Sequence, residues 1–146
     1  MRKLVKVADE QEILSILEEF NDVFPHLNEK IDNMESYAKK LTLYSNFYVV
    51  QELGKNVGIL VFYSNDTDKK TAYLTLIGVK DSLRGKGLGK DLLLFCEEKS
   101  KSDGMDKLFL EVDLDNESAM LFYQKNGFCF GDRTDRNSIY LYKSLK

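Results

Sequence analysis

Histidine, cysteine and proline are scarce in this sequence, and tryptophan is absent. The 146 residues include one histidine, two cysteines and one proline. A lone histidine gives no support to a zinc site or a Ser-His-Asp triad. We expect His26, in a turn-like segment beside Pro25, to be a loop residue, with a place at a substrate mouth as the alternative. Cys96 and Cys129 lack a short metal-ligand spacing, so both are predicted to be buried, reduced thiols, and no metal site is predicted.

The sequence also lacks long apolar runs and a large excess of either charge. No run approaches the roughly 20 apolar residues of a membrane helix, and residues 1–7 contain no apolar signal region. The 21 basic and 24 acidic side chains nearly balance, which argues against a nucleic-acid-binding protein. The length and the 43% of hydrophobic residues therefore predict one cytoplasmic domain over residues 1–146, without a nucleic-acid or membrane partner.

Hydrophobic periodicity predicts a mixed α/β (α+β) fold with the order β-α-α-β-β-β-α-β-α-β-β. After an opening strand, Asp9 offers an N-cap for a first amphipathic helix, and a second helix follows Pro25. Apolar residues at both odd and even positions predict two strands, 47–53 and 57–63, that are covered on both faces. A hairpin turn at 54–56 is predicted to join them.

The second half of the chain begins with a predicted polar turn at 64–70, whose acidic residues lack the pattern of a calcium loop. A strand at 71–79, a helix beginning near Leu88 and a strand at 108–112 then form a predicted βαβ unit with parallel strands. The remaining predicted elements are a helix at 117–125, which ends at Asn126-Gly127, and strands at 128–130 and 139–142.

Residues 84–89, Arg-Gly-Lys-Gly-Leu-Gly, lie between a predicted strand and a predicted helix. Backbone amides and a helix N-terminus converge in such a segment, which favours binding of an anion. The P-loop pattern fails because Arg84 and Asp91 occupy positions that need glycine and Ser or Thr, and the dinucleotide pattern fails because its third glycine would be Lys90. A phosphate-bearing cofactor is the first hypothesis, and a structural turn is the alternative.

A second segment, residues 116–128, reads Asn-Glu-Ser-Ala-Met-Leu-Phe-Tyr-Gln-Lys-Asn-Gly-Phe. Together the two segments resemble motifs A and B of the GNAT superfamily of N-acetyltransferases, and the resemblance extends from Tyr73 to Phe128. It implies a GNAT-like fold: one central mixed, mostly antiparallel sheet of about seven strands, helices on both faces, and a parallel splayed strand pair at the cofactor cleft.

The resemblance implies acetyl-CoA as cosubstrate, without a metal. The amides of the glycine segment would bind the pyrophosphate, helped by the conformational freedom of Gly87 and Gly89. Ile77 and Val79 would bond the pantetheine arm through their backbones, and Asn116 would bond it through its side chain, although helix capping alone would also explain Asn116. The expected cofactor-binding residues are Ile77, Val79, Arg84, Gly85, Lys86, Gly87, Leu88, Gly89, Lys90, Asn116 and Tyr123.

The catalytic residues implied by the resemblance are Tyr123, Val79 and Glu111. Tyr123 would reprotonate the departing thiolate, with a core tyrosine as the alternative, and the amide of Val79 would polarise the thioester carbonyl. Family members often carry a carboxylate on the central strand, where this sequence has Tyr73 and Thr75. Glu111 on the next strand is therefore the candidate base, with a water relay or a structural ion pair as alternatives.

The predicted function is direct acetyl transfer to a primary amine of a small molecule, such as an amino sugar. A protein N-terminus or lysine is the enzymatic alternative. A non-catalytic acyl-CoA-binding sensor and an unrelated phosphate-binding α+β domain are alternatives of other classes. The oligomeric state stays open, with a homodimer as one option. The aromatic residues that could line an acceptor pocket are Phe24, Tyr37, Tyr44, Tyr63 and Tyr73.

Overall fold

The computed structural model describes residues 2–24, 27 and 33–146. Within that part it contains seven strands, four α-helices and one short 3-10 helix, Asp81–Leu83, in the predicted order. Pro25, His26 and the predicted start of the second helix lie outside the described residues. The strands are β1 (Arg2–Lys6), β2 (Asn46–Glu52), β3 (Lys55–Asp66), β4 (Thr71–Val79), β5 (Lys107–Asp113), β6 (Cys129–Arg133) and β7 (Ser138–Ser144), and the helices are α1 (Glu10–Glu19), α2 (Met34–Tyr44), α3 (Leu88–Ser102) and α4 (Glu117–Lys125).

The seven strands form one mixed sheet in the order β1-β2-β3-β4-β5-β7-β6. The pairs β1–β2, β2–β3, β5–β7 and β6–β7 are antiparallel, whereas β4 and β5 are parallel. The parallel pairing joins Thr71, Ala72 and Tyr73 of β4 to Lys107, Leu108 and Phe109 of β5, and ends there although both strands continue. The predicted mixed sheet with one parallel pair is confirmed.

Contacts within the chain divide it into two compact units. The first unit comprises the described residues of Met1–Phe62 together with Leu76–Leu93, and the second comprises Tyr63–Thr75 and Leu94–Lys146. A single domain over the whole chain therefore stays a prediction. Among the helices of the described ranges, none has the length and apolar character that crossing a membrane requires.

The first unit is organised around α1, whose start agrees with the predicted cap. Asp9 accepts a hydrogen bond from the amide of Glu12 at 3.0 Å, which satisfies one of the free N–H groups at the helix start. One face of the helix and the residue that follows it are buried, and each such side chain stabilises the fold by about 1.5–3 kcal/mol. These residues are Ile13, Ile16, Leu17 and Phe20.

In the second unit, β5 has one buried face. Leu108, Leu110 and Val112 are buried and alternate with the half-buried Phe109 and Glu111, as expected for a strand with one face in a core. The alternation leaves Phe109 and Glu111 together on the other face of the strand.

The two cysteines differ in their surroundings. Cys96 of α3 is fully buried, and this burial raises the pKa of its thiol to about 12. Cys129 is exposed. The prediction of a buried thiol is wrong for Cys129 because β6 is an edge strand with mostly exposed residues.

Turns account for the other differences from the predicted boundaries. Leu53 and Gly54 both have positive φ, +53° and +76°, so the hairpin turn is one residue earlier than predicted and β3 begins at Lys55. At its other end β3 continues to Asp66, whose side chain accepts a hydrogen bond from the amide of Lys69 at 3.1 Å. The polar turn is therefore shorter than the predicted 64–70.

Candidate active site

The glycine segment of the first unit leads directly into α3. Gly85 and Gly87 have φ angles of +79° and +83°, which glycine adopts without the strain that a Cβ would impose. The amide of Asp91 donates to the carbonyl oxygen of Gly87 at 3.1 Å, so the amides of the preceding helical residues have no partner within the helix. Gly89 lies inside the first turn of α3, and the expectation that its freedom of φ is used is wrong.

The same loop has room on its outer side and carries positive charge. A Cβ placed at Gly85 or Gly87 would meet no heavy atom within 4 Å. Lys86 and Lys90 are exposed. Arg84 folds back instead, with its Nε 3.2 Å from Asp81 Oδ1 and 3.4 Å from the carbonyl oxygen of Val79. The loop thus combines helix N-terminal amides, open space and cations, as a phosphate site requires.

The end of β4 packs closely against the residues that follow α1. Ile77 and Val79 are half-buried, and a Cβ added to Gly78 between them would lie 2.7 Å from Phe24 Cζ and 2.7 Å from Val23 Cγ1. Glycine is therefore required for this approach. Gly78 was not predicted to be important, although a glycine within a strand is a recognised sign of close backbone approach.

Asn116 of the second unit is the N-cap of α4. Its Oδ1 accepts hydrogen bonds from the amide of Ala119 and from Ser118 Oγ, both at 3.2 Å. The capping role considered in the sequence analysis is thus present. Capping uses only the side-chain oxygen, and the contact of Asn116 with pantetheine stays a prediction.

Tyr123 is a buried residue of α4. Its side chain is 8% exposed, and its ring meets the rings of Phe122 and Phe128 edge-on at centroid distances of 5.2 and 5.5 Å. This burial raises the pKa of the phenol well above its usual range, and Cys96 raises it further. Tyr123 therefore keeps its proton at neutral and moderately basic pH.

Glu111 forms a structural ion pair. Arg136 Nη2 lies 2.8 Å from Glu111 Oε1, and Ser138 Oγ donates a hydrogen bond to Oε2. The hydrogen bond with Glu111 is the main cause of the raised pKa of Arg136. Both carboxylate oxygens are thus engaged, which favours the ion-pair alternative, while the role of Glu111 as a base stays a prediction.

An open cavity of about 820 Å³ lies in the second unit. Tyr73 of β4 is opposite Phe109 of β5, which is opposite Tyr142 of β7, and all three line the cavity together with Asp132. Lys107 Nζ lies 5.3 Å from the centroid of the Tyr142 ring. Of the aromatic residues expected to form a pocket, Tyr73 lines this cavity. Phe109, Tyr140 and Tyr142 also line it and were not predicted, although the alternation along β5 and β7 could have indicated them.

The described ranges contain no group of three or more His, Cys, Asp or Glu side chains that could hold a metal ion. His26 lies outside those ranges.

The fold and these segments define an acyltransferase class, and a family comparison identifies it. The model of the acetyltransferase (GNAT) family matches residues 11–128, which is most of the chain. The protein therefore belongs to the GNAT family of acetyltransferases. The resemblance found in the sequence is confirmed.

Individual relatives agree with this membership. The chain is 26% identical over 108 residues to the uncharacterized N-acetyltransferase YdgE of Bacillus subtilis. The aligned region covers 73% of this chain and 69% of YdgE. A solved GNAT-family protein from Desulfovibrio desulfuricans has a TM-score of 0.83 at 15% identity, over 100% of both chains. The paiA N-acetyltransferase of Thermoplasma acidophilum, solved in complex with coenzyme A, has a TM-score of 0.76 at 20% identity, over 99% of both chains. These similarities support the GNAT fold.

Proposed function

We propose that this protein transfers an acetyl group from acetyl-CoA to the primary amine of a small molecule by direct attack of the amine. The observation that carries the proposal is the protonated phenol of Tyr123, buried on α4 in a chain of the GNAT family. A protein that only binds acyl-CoA has no need of a proton donor at this position. The family membership supplies the reaction class, and Tyr123 supplies the argument for catalysis.

The glycine segment fits the anionic part of coenzyme A. Gly85 and Gly87 have positive φ and open space beside them, so the amides of Leu88, Gly89 and Lys90 are available to phosphate oxygens at the start of α3. We assign the pantetheine contacts to the backbones of Ile77 and Val79 and to the side chain of Asn116. When bound, acetyl-CoA would supply an activated acetyl thioester. The relative from Thermoplasma acidophilum, which was solved with coenzyme A, supports this choice of cosubstrate.

Tyr123 Oη is the proposed proton donor to the leaving thiolate. Burial raises the pKa of the phenol, which makes loss of its proton less favourable. Proton transfer to the thiolate therefore requires an equally apolar environment around the sulfur, which raises the proton affinity of the thiolate as well. The amide of Val79 is the proposed hydrogen-bond donor to the acyl oxygen. Because Arg136 and Ser138 engage Glu111, we propose that water next to this carboxylate takes the proton of the amine and passes it to bulk solvent.

The cavity of the second unit is the proposed acceptor site. Its volume of about 820 Å³ is within the usual range for small-molecule sites. The faces of Tyr142 and Phe109 attract cations, as the position of Lys107 Nζ at 5.3 and 5.8 Å from their centroids illustrates. Because Lys107 Nζ already lies over these two rings, we propose that the carboxylate of Asp132, which also lines the cavity, binds the ammonium group of the acceptor.

Calorimetry of the purified protein with acetyl-CoA, CoA and ATP tests the choice of cosubstrate. We expect saturable binding of acetyl-CoA and CoA, and ATP binding weaker by at least about tenfold, because ATP lacks the pantetheine arm. Release of free thiol in a screen of small amines and N-terminal peptides would then identify the acceptor. Equal affinity for ATP and CoA would favour a general phosphate-binding domain, and CoA binding without acetyl transfer would favour a sensor.

Asp132→Asn is expected to raise the KM for a cationic amine by about 3- to 10-fold and to leave the KM for acetyl-CoA unchanged. The reason is the loss of one favourable charge interaction, about 1 kcal/mol at an exposed site. Steady-state kinetics with each substrate varied in turn measures this effect. Asp135→Asn is the matched control, because Asp135 is also exposed and lies three residues after Asp132, in the β6–β7 connection. Equal effects of the two variants would place the acceptor outside the cavity.

A further inference from the structure

Lys143 of β7 makes two close contacts in the second unit. Its Nζ donates to the carbonyl oxygen of Asn126 at 2.8 Å and lies 2.8 Å from Glu97 Oε1 of α3. The Lys143 and Glu97 side chains are 27% and 12% exposed. One ammonium group thus joins a largely buried carboxylate to the C-terminal cap of α4.

The residues held by Lys143 contact Tyr123 directly. Asn126 is the C-cap of α4, and its backbone N–H donates a hydrogen bond to the carbonyl oxygen of Tyr123 at 3.0 Å. The amide of Phe128 donates to the same oxygen at 3.0 Å, and the Phe128 ring packs against the phenol at 5.5 Å. Lys143 Nζ lies 5.9 Å from the centroid of that Phe128 ring. Lys143 therefore contacts Asn126, which bonds the Tyr123 backbone, and lies near the Phe128 ring, which packs on the Tyr123 side chain.

Gly127 provides the space for this arrangement. Its φ is +92°, and a Cβ there would lie 3.3 Å from Lys143 Cε, closer than most Cβ contacts, and 3.5 Å from Nζ. The glycine ends α4 in a left-handed conformation. The same glycine lets the lysine side chain approach the end of the helix, where a cation is also favoured by the helix dipole.

We propose that Lys143 is a positioning residue that fixes the ring of Tyr123 for proton donation, an inference that rests on the proposed acid role of Tyr123. Removal of the ammonium would leave Glu97 buried without its cation, and Glu97 Oε2 already has no hydrogen-bond partner among the described residues. A buried carboxylate in that position draws in water or changes its rotamer. Either change releases the end of α4 and the Phe128 ring that support the phenol.

A double-mutant cycle tests whether Lys143 acts through Tyr123. We expect Lys143→Met to lower kcat about tenfold in the wild-type background, because small misplacements of a catalytic group are costly, with little change in KM for acetyl-CoA. In the Tyr123→Phe background the same substitution should change kcat by less than about twofold. Equal factors in the two backgrounds would overturn the proposal, since a general loss of structure lowers both enzymes alike.

Solution NMR of protein with ¹³C-labelled tyrosine gives a readout independent of activity. The Tyr123 Cζ resonance, assigned by its absence in Tyr123→Phe, should shift or broaden in Lys143→Met and stay in place in Lys99→Met. Lys99 is a matched control, since its Nζ lies 2.7 Å from Asp103 Oδ1 with side chains 34% and 28% exposed. An unchanged resonance in Lys143→Met would overturn the positioning role.

Two further variants keep the test decisive if Lys143→Met does not fold. Lys143→Arg should retain most of kcat, because it keeps the positive charge and N–H donors for Glu97 and the Asn126 carbonyl. Glu97→Gln should shift the Tyr123 resonance by a smaller amount, because the bond to the Asn126 carbonyl persists. A wild-type resonance in Glu97→Gln together with a large loss of kcat in Lys143→Arg would overturn the proposal. Full kcat in Tyr123→Phe would refute only the acid role of Tyr123. The Tyr123 Cζ resonance in Lys143→Met would still decide whether Lys143 orders the ring.

Discussion

Tyr123→Phe is expected to lower kcat by about 10²- to 10³-fold, the usual effect of removing a general acid, with affinity for acetyl-CoA unchanged. Phenylalanine keeps the edge-to-face packing on Phe122 and Phe128 and removes only the hydroxyl. Steady-state kinetics gives kcat, and calorimetry gives the affinity. The substitution therefore separates proton donation from the role of the ring in the core.

The matched control for this prediction is Tyr48→Phe. Tyr48 of β2 is also 8% exposed and stacks on the ring of Phe62, so its replacement removes the hydroxyl of a second buried tyrosine, far along the chain from α4. We expect kcat of Tyr48→Phe to stay within about twofold of wild type. Losses of kcat and of acetyl-CoA affinity by the same factor in Tyr123→Phe would contradict the acid role.

The raised pKa of Tyr123 adds a pH signature to the prediction. An ordinary tyrosine loses its proton near pH 10, whereas burial moves the titration of Tyr123 upward from that value. The acid form is present below the folded-state pKa, so kcat of the wild type should not fall through pH 10 because of this group. A loss of kcat centred near pH 10 that disappears in Tyr123→Phe would show that the phenol is not buried during catalysis.

Gly87→Val is expected to weaken acetyl-CoA binding by at least about tenfold. A β-branched residue at φ +83° is strained, by roughly 1–3 kcal/mol, so the loop must change the direction of its amides. The new side chain would also fill the open space beside the loop, where a phosphate would bind. Calorimetry with acetyl-CoA and with CoA measures the loss, which should be the same for both ligands because they share the pyrophosphate.

Gly54→Val separates backbone strain from loss of the site. Gly54 has φ +76° and, like Gly87, open space where a Cβ would lie, but it belongs to the β2–β3 hairpin. We expect this variant to lose stability and keep its affinity for acetyl-CoA. Unchanged affinity in Gly87→Val would place the pyrophosphate elsewhere, and equal losses in both variants would indicate a general effect on folding.

Elements with local signals were predicted well from the sequence. Helix α4 has its predicted bounds, Glu117–Lys125, because an asparagine cap precedes it and Asn126-Gly127 ends it. The N-cap at Asp9 is confirmed by its hydrogen bond to Glu12. The glycine loop was predicted for the same reason, since a helix start after positive-φ glycines depends on neighbouring residues.

Features that depend on strand register were harder to predict. The partner of Glu111 is Arg136, 25 residues later, and it comes close because β5 and β7 pair with Glu111 opposite Tyr140. The aromatic cavity arises in the same way, from rings on three strands that face one another only after pairing. A single sequence shows which residues alternate along a strand but leaves open which strand is its neighbour.

The contrast between the two thiols makes the native chain suited to single-site labelling. Cys129 is exposed, whereas Cys96 is buried and has a pKa raised to about 12. A maleimide dye at neutral pH should therefore attach to Cys129 alone. That position directly precedes Phe130 and Gly131, which line the cavity proposed for the acceptor. A dye on Cys129 would therefore report acceptor binding by fluorescence without any substitution, and acceptor candidates could be ranked before a turnover assay exists.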